Sequence, residues 1–400
     1  MAASPMSNSL PPPLMTSEEG SFAQRTVLRR KPQIARDVLR DNHYPPEIQA
    51  AVEGLITEIE SLSPVHPLHE AAPDVEYWDE QWRPYAGRHW LALPWYFAEA
   101  FFYRRLLEAV RYFQPGPWEG HDPFAMAKRR AIEGPHGALL LATHALLELP
   151  AELPAALLAL LHDSLWGNRA DLSNREVVAR LAGHGAEQQD LLLDDSAQVV
   201  DFLLKGAQRR IDFINDNAGP EAAFDLLLAG FLLDRSLTGE VRMHLKPYPF
   251  YVSDALIPDM RELISRLEGA PEPRLRAAGE RLEGHLQSGR LELTTDRFWA
   301  SAYEFRDMPA DLRRDLSRAD LVIIKGDANY RRLLGDRHWP YTTRLAEIVA
   351  YFPAPLAVLR TLKAEIIVGL EPGQAEQLAA ADANWLVNGK RGLIQFVGRI

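Results

Sequence analysis

From about Gln198 onward, short β-branched runs alternate with longer stretches of helical pattern, and this alternation restricts the chain more than any other feature. The runs are Ile211 to Ile214, Val241 to Leu245, Phe250 to Val252, Leu321 to Ile324, Ala357 to Leu359 and Leu393 to Val397. Strands spaced by helical segments give a mainly parallel sheet with helices on both faces. The chain before Gln198 reads as helical, for example at Ile34, Val38 and Leu39, and at Ile48, Val52, Ile56 and Ile59 after the break at Pro45-Pro46. The expected fold is therefore α/β. A three-layer, Rossmann-like α/β/α domain with a mainly parallel sheet over 191–400 carries the site, and an all-helical N-terminal domain covers 21–190. Residues 1–20 are rich in Ser and Pro, with Pro11-Pro12-Pro13, and lack the basic start and apolar stretch of a signal peptide; a disordered tail is expected there.

A chain of 400 residues has room for about two to three domain-sized units. Its 44 lysines and arginines against 55 acidic residues give a formal charge of −11, so there is no general electrostatic footprint for nucleic acid or an anionic membrane. A phosphate-bearing ligand would need a local basic pocket. There is no cysteine, which excludes disulfides, thiolate metal sites and cysteine nucleophiles and fits a cytoplasmic protein. The apolar region 138–161 is interrupted by His144, Glu148, Pro150, Glu152 and Pro154, so it reads as a pair of buried helices rather than a membrane span.

The chemistry gathers at strand ends. Leu321 to Ile324 has no polar residue on either face, which marks a central strand, and it ends abruptly in Lys325-Gly326-Asp327-Ala328-Asn329-Tyr330-Arg331-Arg332. Open α/β sheets bind ligands at such ends. The run Ile211 to Ile214 ends in Asn215-Asp216-Asn217-Ala218-Gly219-Pro220-Glu221, with Gly for a tight turn and Pro for the first helical turn. A third strand end delivers Asp254 after His244-Leu245-Lys246-Pro247. Asp216, Asn217 and Asp254 would make an all-oxygen set of the kind Mg²⁺ or Mn²⁺ prefers, although Asp-Asn at a strand end, and Asp254 ahead of Ala255-Leu256-Ile257, can also be plain helix caps. Lys325 and Arg331 flank Asp327 and Asn329, and a helix beginning near Asn329 would aim amide hydrogens at an anion. Arg332 is expected to face solvent.

These stretches resemble the damage-control phosphatases, a metal-dependent family once known only as a domain of unknown function. Within it they look most like subfamily III, which includes proteins called acidic-residue methyltransferases. The likeness is carried by Lys325 to Arg331 with Gly335-Asp336 and Trp339, by the aromatic helix 94–107 with Glu99, Arg104 and Arg105, and by Asp122-Pro123-Phe124 with Lys128. It is carried equally by 165–173, by the two strand ends bearing Asp216 and Asp254, and by Arg360-Thr361-Leu362-Lys363, an Arg-Thr-x-Lys signature. It runs from about Pro94 to Lys363. The resemblance implies that Asp216, Asn217 and Asp254 are the metal ligands and catalytic residues, for Mn²⁺, Co²⁺, Ni²⁺ or Mg²⁺. It implies substrate contacts at Asp327, Asn329, Tyr330 and Arg331 with Lys325 beside them, Lys363 as a phosphate or substrate ligand supported by Arg360, and Asn168 near substrate. Glu221 would orient water in a phosphatase, contact S-adenosylmethionine in a methyltransferase, or form a plain salt bridge. Glu99 and Arg104 read as a pair at the edge of a core helix, or as residues at the mouth of the site.

The function that uses every one of these residues is metal-dependent hydrolysis of small phosphorylated metabolites. Sugar phosphates such as fructose-1-phosphate or fructose-6-phosphate are the expected class, with a role in metabolite damage control. The alternative is an S-adenosylmethionine-dependent protein carboxyl (glutamate) O-methyltransferase, which a Gly-rich loop would support; here only Gly219 follows Asp216-Asn217. A non-catalytic binding module would leave the oxygen donors and cations without purpose. His162-Asp163 lacks the further ligands of a metal phosphohydrolase and reads as structural, and there is no His-Glu-x-x-His, Walker A or Gly-x-Ser-x-Gly motif.

Overall fold

A computed structural model describes residues 10–133, 137–167, 190–206 and 208–398. Its sheet contains β1 (Leu191–Asp194), β2 (Gln208–Ile214), β3 (Thr238–Leu245), β4 (Leu291–Thr295), β5 (Leu321–Lys325), β6 (Leu356–Thr361) and β7 (Gly392–Val397), in the order β1-β7-β6-β5-β2-β3-β4. Neighbours are parallel except for β6 and β7. β5 lies in the middle with every residue buried. Leu321 and Ile323 enter the core of one face, and Val322 and Ile324 that of the other, as the two-residue strand period dictates. A strand covered on both faces needs apolar side chains on both, hence its unbroken run.

Helices Ala138–Glu148, Leu153–Trp166, Ser196–Leu204, Pro220–Asp234, Ile257–Glu268 and Pro273–Gln287 share the first core, and Ala310–Leu316, Asp327–Leu334 and Leu345–Ile348 share the second. A third cluster joins the N-terminal helices Lys31–Asp41, Pro46–Glu60 and Trp95–Ala109 to Tyr248, Phe250 and Ala300. No helix among the described residues is long and apolar enough to cross a membrane.

Three expectations are corrected. The segment 250–252 is not a strand: Pro247 and Pro249 lack the donors a ladder needs, and Phe250 is buried in the third cluster instead. β1 and β4 went unforeseen because both are sheet edges, where one-sided pairing demands no long apolar run; β1 has no fully buried residue. Residues 10–20 are not a free tail. Leu14 is buried, its N–H donates to the Asp336 carbonyl (2.8 Å) and its carbonyl accepts from Trp95 N–H (2.8 Å), while Thr16 Oγ1 donates to the Trp90 carbonyl (2.8 Å).

Candidate active site

The strand order turns round between β2 and β5: the chain moves outward from β2 through β3 to β4, and in the other direction from β5 to β6. The loops leaving the carboxyl ends of this parallel pair diverge and open a crevice, which is where α/β sheets bind ligands. Asp216 lies just beyond β2 and Gly326 just beyond β5. Gly326 has φ +85°, and a Cβ there would fall on the Asp216 carboxylate. Only glycine lets the two strand ends approach so closely.

The segment after β3 folds back onto the same point. Ala255 N–H donates to the Asp216 carbonyl (2.8 Å) and Ala218 N–H to the Ser253 carbonyl (2.7 Å), pairing Asn217 with Asp254 in an isolated bridge. Asn217 Nδ2 donates to Asp216 Oδ2 (2.7 Å) and to Glu221 Oε2 (2.8 Å), and its Oδ1 accepts from Ser253 Oγ. Asp254 Oδ2 lies 3.5 Å from Lys246 Nζ and finds no donor in hydrogen-bonding geometry. Burial, then the charges of Glu221 and Asp254, hold the Asp216 carboxyl well above its ordinary range, while Lys246 and Lys363 act the other way. Burial raises Asp254 and Glu221 too.

Three buried carboxyl groups with raised pKa mark a place short of positive charge. The orphaned Asp254 oxygen and the oxygen-only donors suit a hard divalent cation. The third donor of the expected set is an amide. Among the described residues, no three His, Cys, Asp or Glu side chains are grouped around one cation position.

The cations sort differently from the sequence expectation. Lys325 does not face the crevice: its fully buried ammonium donates to the Ser164 carbonyl and Oγ (2.7 Å) and faces Asp225 Oδ1 (3.0 Å) and Glu221 Oε1 (3.5 Å). Asn329 is buried beneath the turn, donating to the carbonyls of Lys325 (2.9 Å) and Asn215 (3.1 Å). Tyr330 is a core residue whose hydroxyl meets Gln395 Oε1 (3.2 Å) and Val368 N–H (3.2 Å), with the Arg360 guanidinium 4.3 Å above its ring. Arg331 is engaged by Glu99, donates a pair of hydrogen bonds to the Asp336 carboxylate (2.7 and 2.8 Å), and stacks 3.6 Å over Trp95. Arg332, expected in solvent, is 1% exposed and donates to the carbonyls of Phe298 (2.8 Å) and Tyr303 (3.0 Å). Helix Asp327–Leu334 is covered on both sides, so its arginines lose water and must find partners.

Glu99 and Arg104 are not a pair. Glu99 binds Lys31 (2.6 Å) and Arg331, and Arg104 binds Asp74 (2.8 Å) and Glu70 (2.9 Å). An i, i+5 spacing puts them on different helix faces.

Two of the expected substrate residues border the carboxylates. Asp327 accepts from Arg360 Nε (2.8 Å) and from the Lys363 N–H (3.0 Å), and the Lys363 charge reaches Asp216 and Glu221. Asn168 lies outside the described residues. Its neighbour Gly167 rests on the Glu221 backbone. Sequence reasoning missed Lys246, which shares a strand end with Asp254, and also Ser164 and Asp225, which look like ordinary helix residues.

Fold and crevice together define an α/β protein with an acidic, cation-flanked site at its switch point. The chain matches the profile of the damage-control phosphatase ARMT1-like domain over residues 26–378. It is 34% identical to the damage-control phosphatase ARMT1 of Danio rerio (97% of each chain covered), 32% to that of Mus musculus (96% of this chain, 98% of that one) and 31% to that of Homo sapiens (97% and 99%). Its fold is similar to the crystal structure of a DUF89 family protein from Pyrococcus horikoshii, with a TM-score of 0.51 and 13% identity over 94% of this chain and 97% of that one. The chain belongs to the damage-control phosphatase ARMT1-like family and is accordingly a member of a phosphatase family.

Proposed function

We propose that the protein is a metal-dependent phosphomonoester hydrolase of small phosphorylated metabolites, with sugar phosphates of the fructose-1-phosphate and fructose-6-phosphate class as substrates and metabolite damage control as its role. The observation that carries this reading is the convergence of Asp216, Asn217 and Asp254 at one crevice under the charges of Lys246 and Lys363. These three residues would hold a divalent ion, Mn²⁺, Co²⁺, Ni²⁺ or Mg²⁺. When bound, such an ion supplies Lewis-acid stabilisation of phosphoryl charge and makes a water more acidic. Lys363 draws in the phosphate and neutralises its oxygens, as phosphoryl transfer requires. Asp327, held by Arg360 and the Lys363 N–H, offers an acceptor to a substrate hydroxyl. Glu221 holds the Asn217 amide. Burial of the carboxylates strengthens every interaction they make.

Methyl transfer from S-adenosylmethionine uses Glu221 for a cofactor contact, whereas Glu221 is engaged by Asn217 and Lys325. The test is phosphate release from a panel of phosphorylated metabolites with each of the four ions added. Release should vanish in EDTA and in Asp254→Ala, and metal-independent release refutes the reading. Heat on titration with millimolar S-adenosylmethionine would favour the methyltransferase instead.

A further inference from the structure

We infer that Lys325 is a positioning residue and not a phosphate ligand: with Ser164 and Asp225 it forms a buried prop beneath the crevice that fixes Glu221 and, through it, the Asn217 amide. The inference deepens the proposed phosphatase reading and rests on it for its kinetic part. A lysine ammonium has three protons to donate. Those of Lys325 have three partners on the underside of the site: the Ser164 carbonyl, Ser164 Oγ (2.7 Å) and Asp225 Oδ1 (3.0 Å). None remains for an anion above. Ser164 Oγ in turn donates to Asp225 Oδ1 (2.6 Å), closing a triangle whose members are all 1% exposed or less.

This triangle grips the end of β2 on both sides of Asp216. On one side, Asp225 Oδ2 accepts from Asn215 Nδ2 (3.0 Å). On the other, Glu221, 3.5 Å from the Lys325 ammonium, accepts from Asn217 Nδ2 (2.8 Å). Helix Leu153–Trp166 delivers the prop and leaves it no slack. A Cβ on Gly167 at its end would meet Phe224 Cδ2 at 2.7 Å and Glu221 Cα at 2.9 Å. Without the ammonium, Glu221 and Asp225 become two buried carboxylates with no cation between them, and Glu221 moves away from Asn217.

The experiment compares full-length wild type, Lys325→Met and Ser164→Ala by steady-state phosphate release, inhibition by inorganic phosphate, and calorimetric Mn²⁺ titration. Lys325→Met should lower kcat by roughly 100-fold, as a displacement of the reacting groups by about 1 Å does. It should weaken Mn²⁺ by about tenfold, as loss of an outer support does. KM and the inorganic phosphate inhibition constant should stay unchanged. Ser164→Ala, which keeps the lysine and serves if Lys325→Met does not fold, should show the same split in smaller degree. A large loss of phosphate inhibition with kcat retained would make Lys325 a direct ligand and overturn the inference. Should the wild type release phosphate from no substrate, the phosphatase reading fails by itself. The prop is then judged on Mn²⁺ affinity alone, where a tenfold loss supports it and equal affinity overturns it.

Discussion

Gly326→Ala tests the contact on which the crevice depends. The residue has φ 85° and ψ 171°, a region essentially reserved for glycine, and holding an L-residue there costs about 1–3 kcal/mol. The added methyl would also land on the Asp216 carboxylate, which is tied to Asn217 Nδ2 at 2.7 Å. The β5 turn cannot retreat freely either, because Gly326 N–H donates to the Leu359 carbonyl (2.9 Å). Overpacking of this kind adds about 1–3 kcal/mol, so the expected loss is about 2–6 kcal/mol in a urea titration of the metal-free protein. Gly373→Ala is the control. Gly373 has φ +83° and nothing within 4 Å of a Cβ, so it carries the backbone strain alone, about 1–2 kcal/mol. The excess loss in Gly326→Ala combines the contact with Asp216 and the extra strain of its ψ 171° backbone relative to the αL backbone of Gly373, and Mn²⁺ affinity should fall only in Gly326→Ala. Equal losses with unaltered Mn²⁺ binding would mean that the β5 turn does not press on Asp216.

Arg331→Ala should cost about 3–5 kcal/mol by leaving Asp336 buried without its cation and Glu99 with Lys31 alone, and Arg331→Lys should recover only part of it, lacking the two-pronged fit to Asp336; a stable Arg331→Ala protein with raised KM would return Arg331 to the substrate. Burial opposes the charge of Glu99, but Lys31 and Arg331 outweigh it and hold the carboxyl at about 2 against an ordinary 4.5. A carboxylate lowered on folding contributes stability that is full above its unfolded value and is lost as the pH falls toward 2, here about 3 kcal/mol. Denaturation midpoints between about pH 5 and pH 3 should therefore fall more steeply in the wild type than in Glu99→Gln, and equal slopes would contradict the pairing. Mn²⁺ at about 100 times its dissociation constant should add about 2.7 kcal/mol of stability, less at lower pH where the carboxyls of the crevice take up protons, and nothing in Asp254→Ala. A calorimetric melt with and without the ion reads this directly.

The sheet was legible where burial is two-sided and faint where it is not. β5 announced itself by an unbroken apolar run, and the edges β1 and β4, which need none, did not. Asp216 and Asn217 were legible because they follow β2 directly, so strand direction carries them to the sheet edge; Asp254 lies well beyond the end of β3 and reaches the same edge only because its segment folds back onto it. The cations were harder, since a long side chain goes where its helix phase and neighbours allow. Part of the answer was nonetheless in the pattern. Lys325 has the same parity as Leu321 and Ile323, which face the core containing helices Leu153–Trp166 and Pro220–Asp234, so the two-residue period already sends it under the sheet. What the period does not contain is that Ser164 and Asp225 wait there. For Arg331 and Arg332 the missing information was the layer that Trp95–Ala109 and residues 298–303 lay over their helix, which no local signal encodes.

Of the polar side chains in the run from Lys325 to Arg332, only that of Asp327 borders the crevice; the lysine, the asparagine and the tyrosine hold the floor, and the arginines bind the helix to its neighbours. The positive charge felt by Asp216 therefore comes from the flanking strand ends: Lys246 after β3, next to β2, and Lys363 after β6, next to β5. Acid sits in the middle and base on either side. A phosphate dianion entering such a site meets uncompensated carboxylates between the two lysines, and Coulomb repulsion at this range in a poorly screened crevice disfavours it until a cation lies among those oxygens. For the proposed reaction, the charge layout alone thus favours metal before substrate. The same layout bears on the four cations the sequence suggested, Lys325, Arg331, Arg360 and Lys363: with Lys325 and Arg331 engaged away from the crevice, a divalent ion among the oxygens would, in the proposed reaction, supply the charge they were expected to bring.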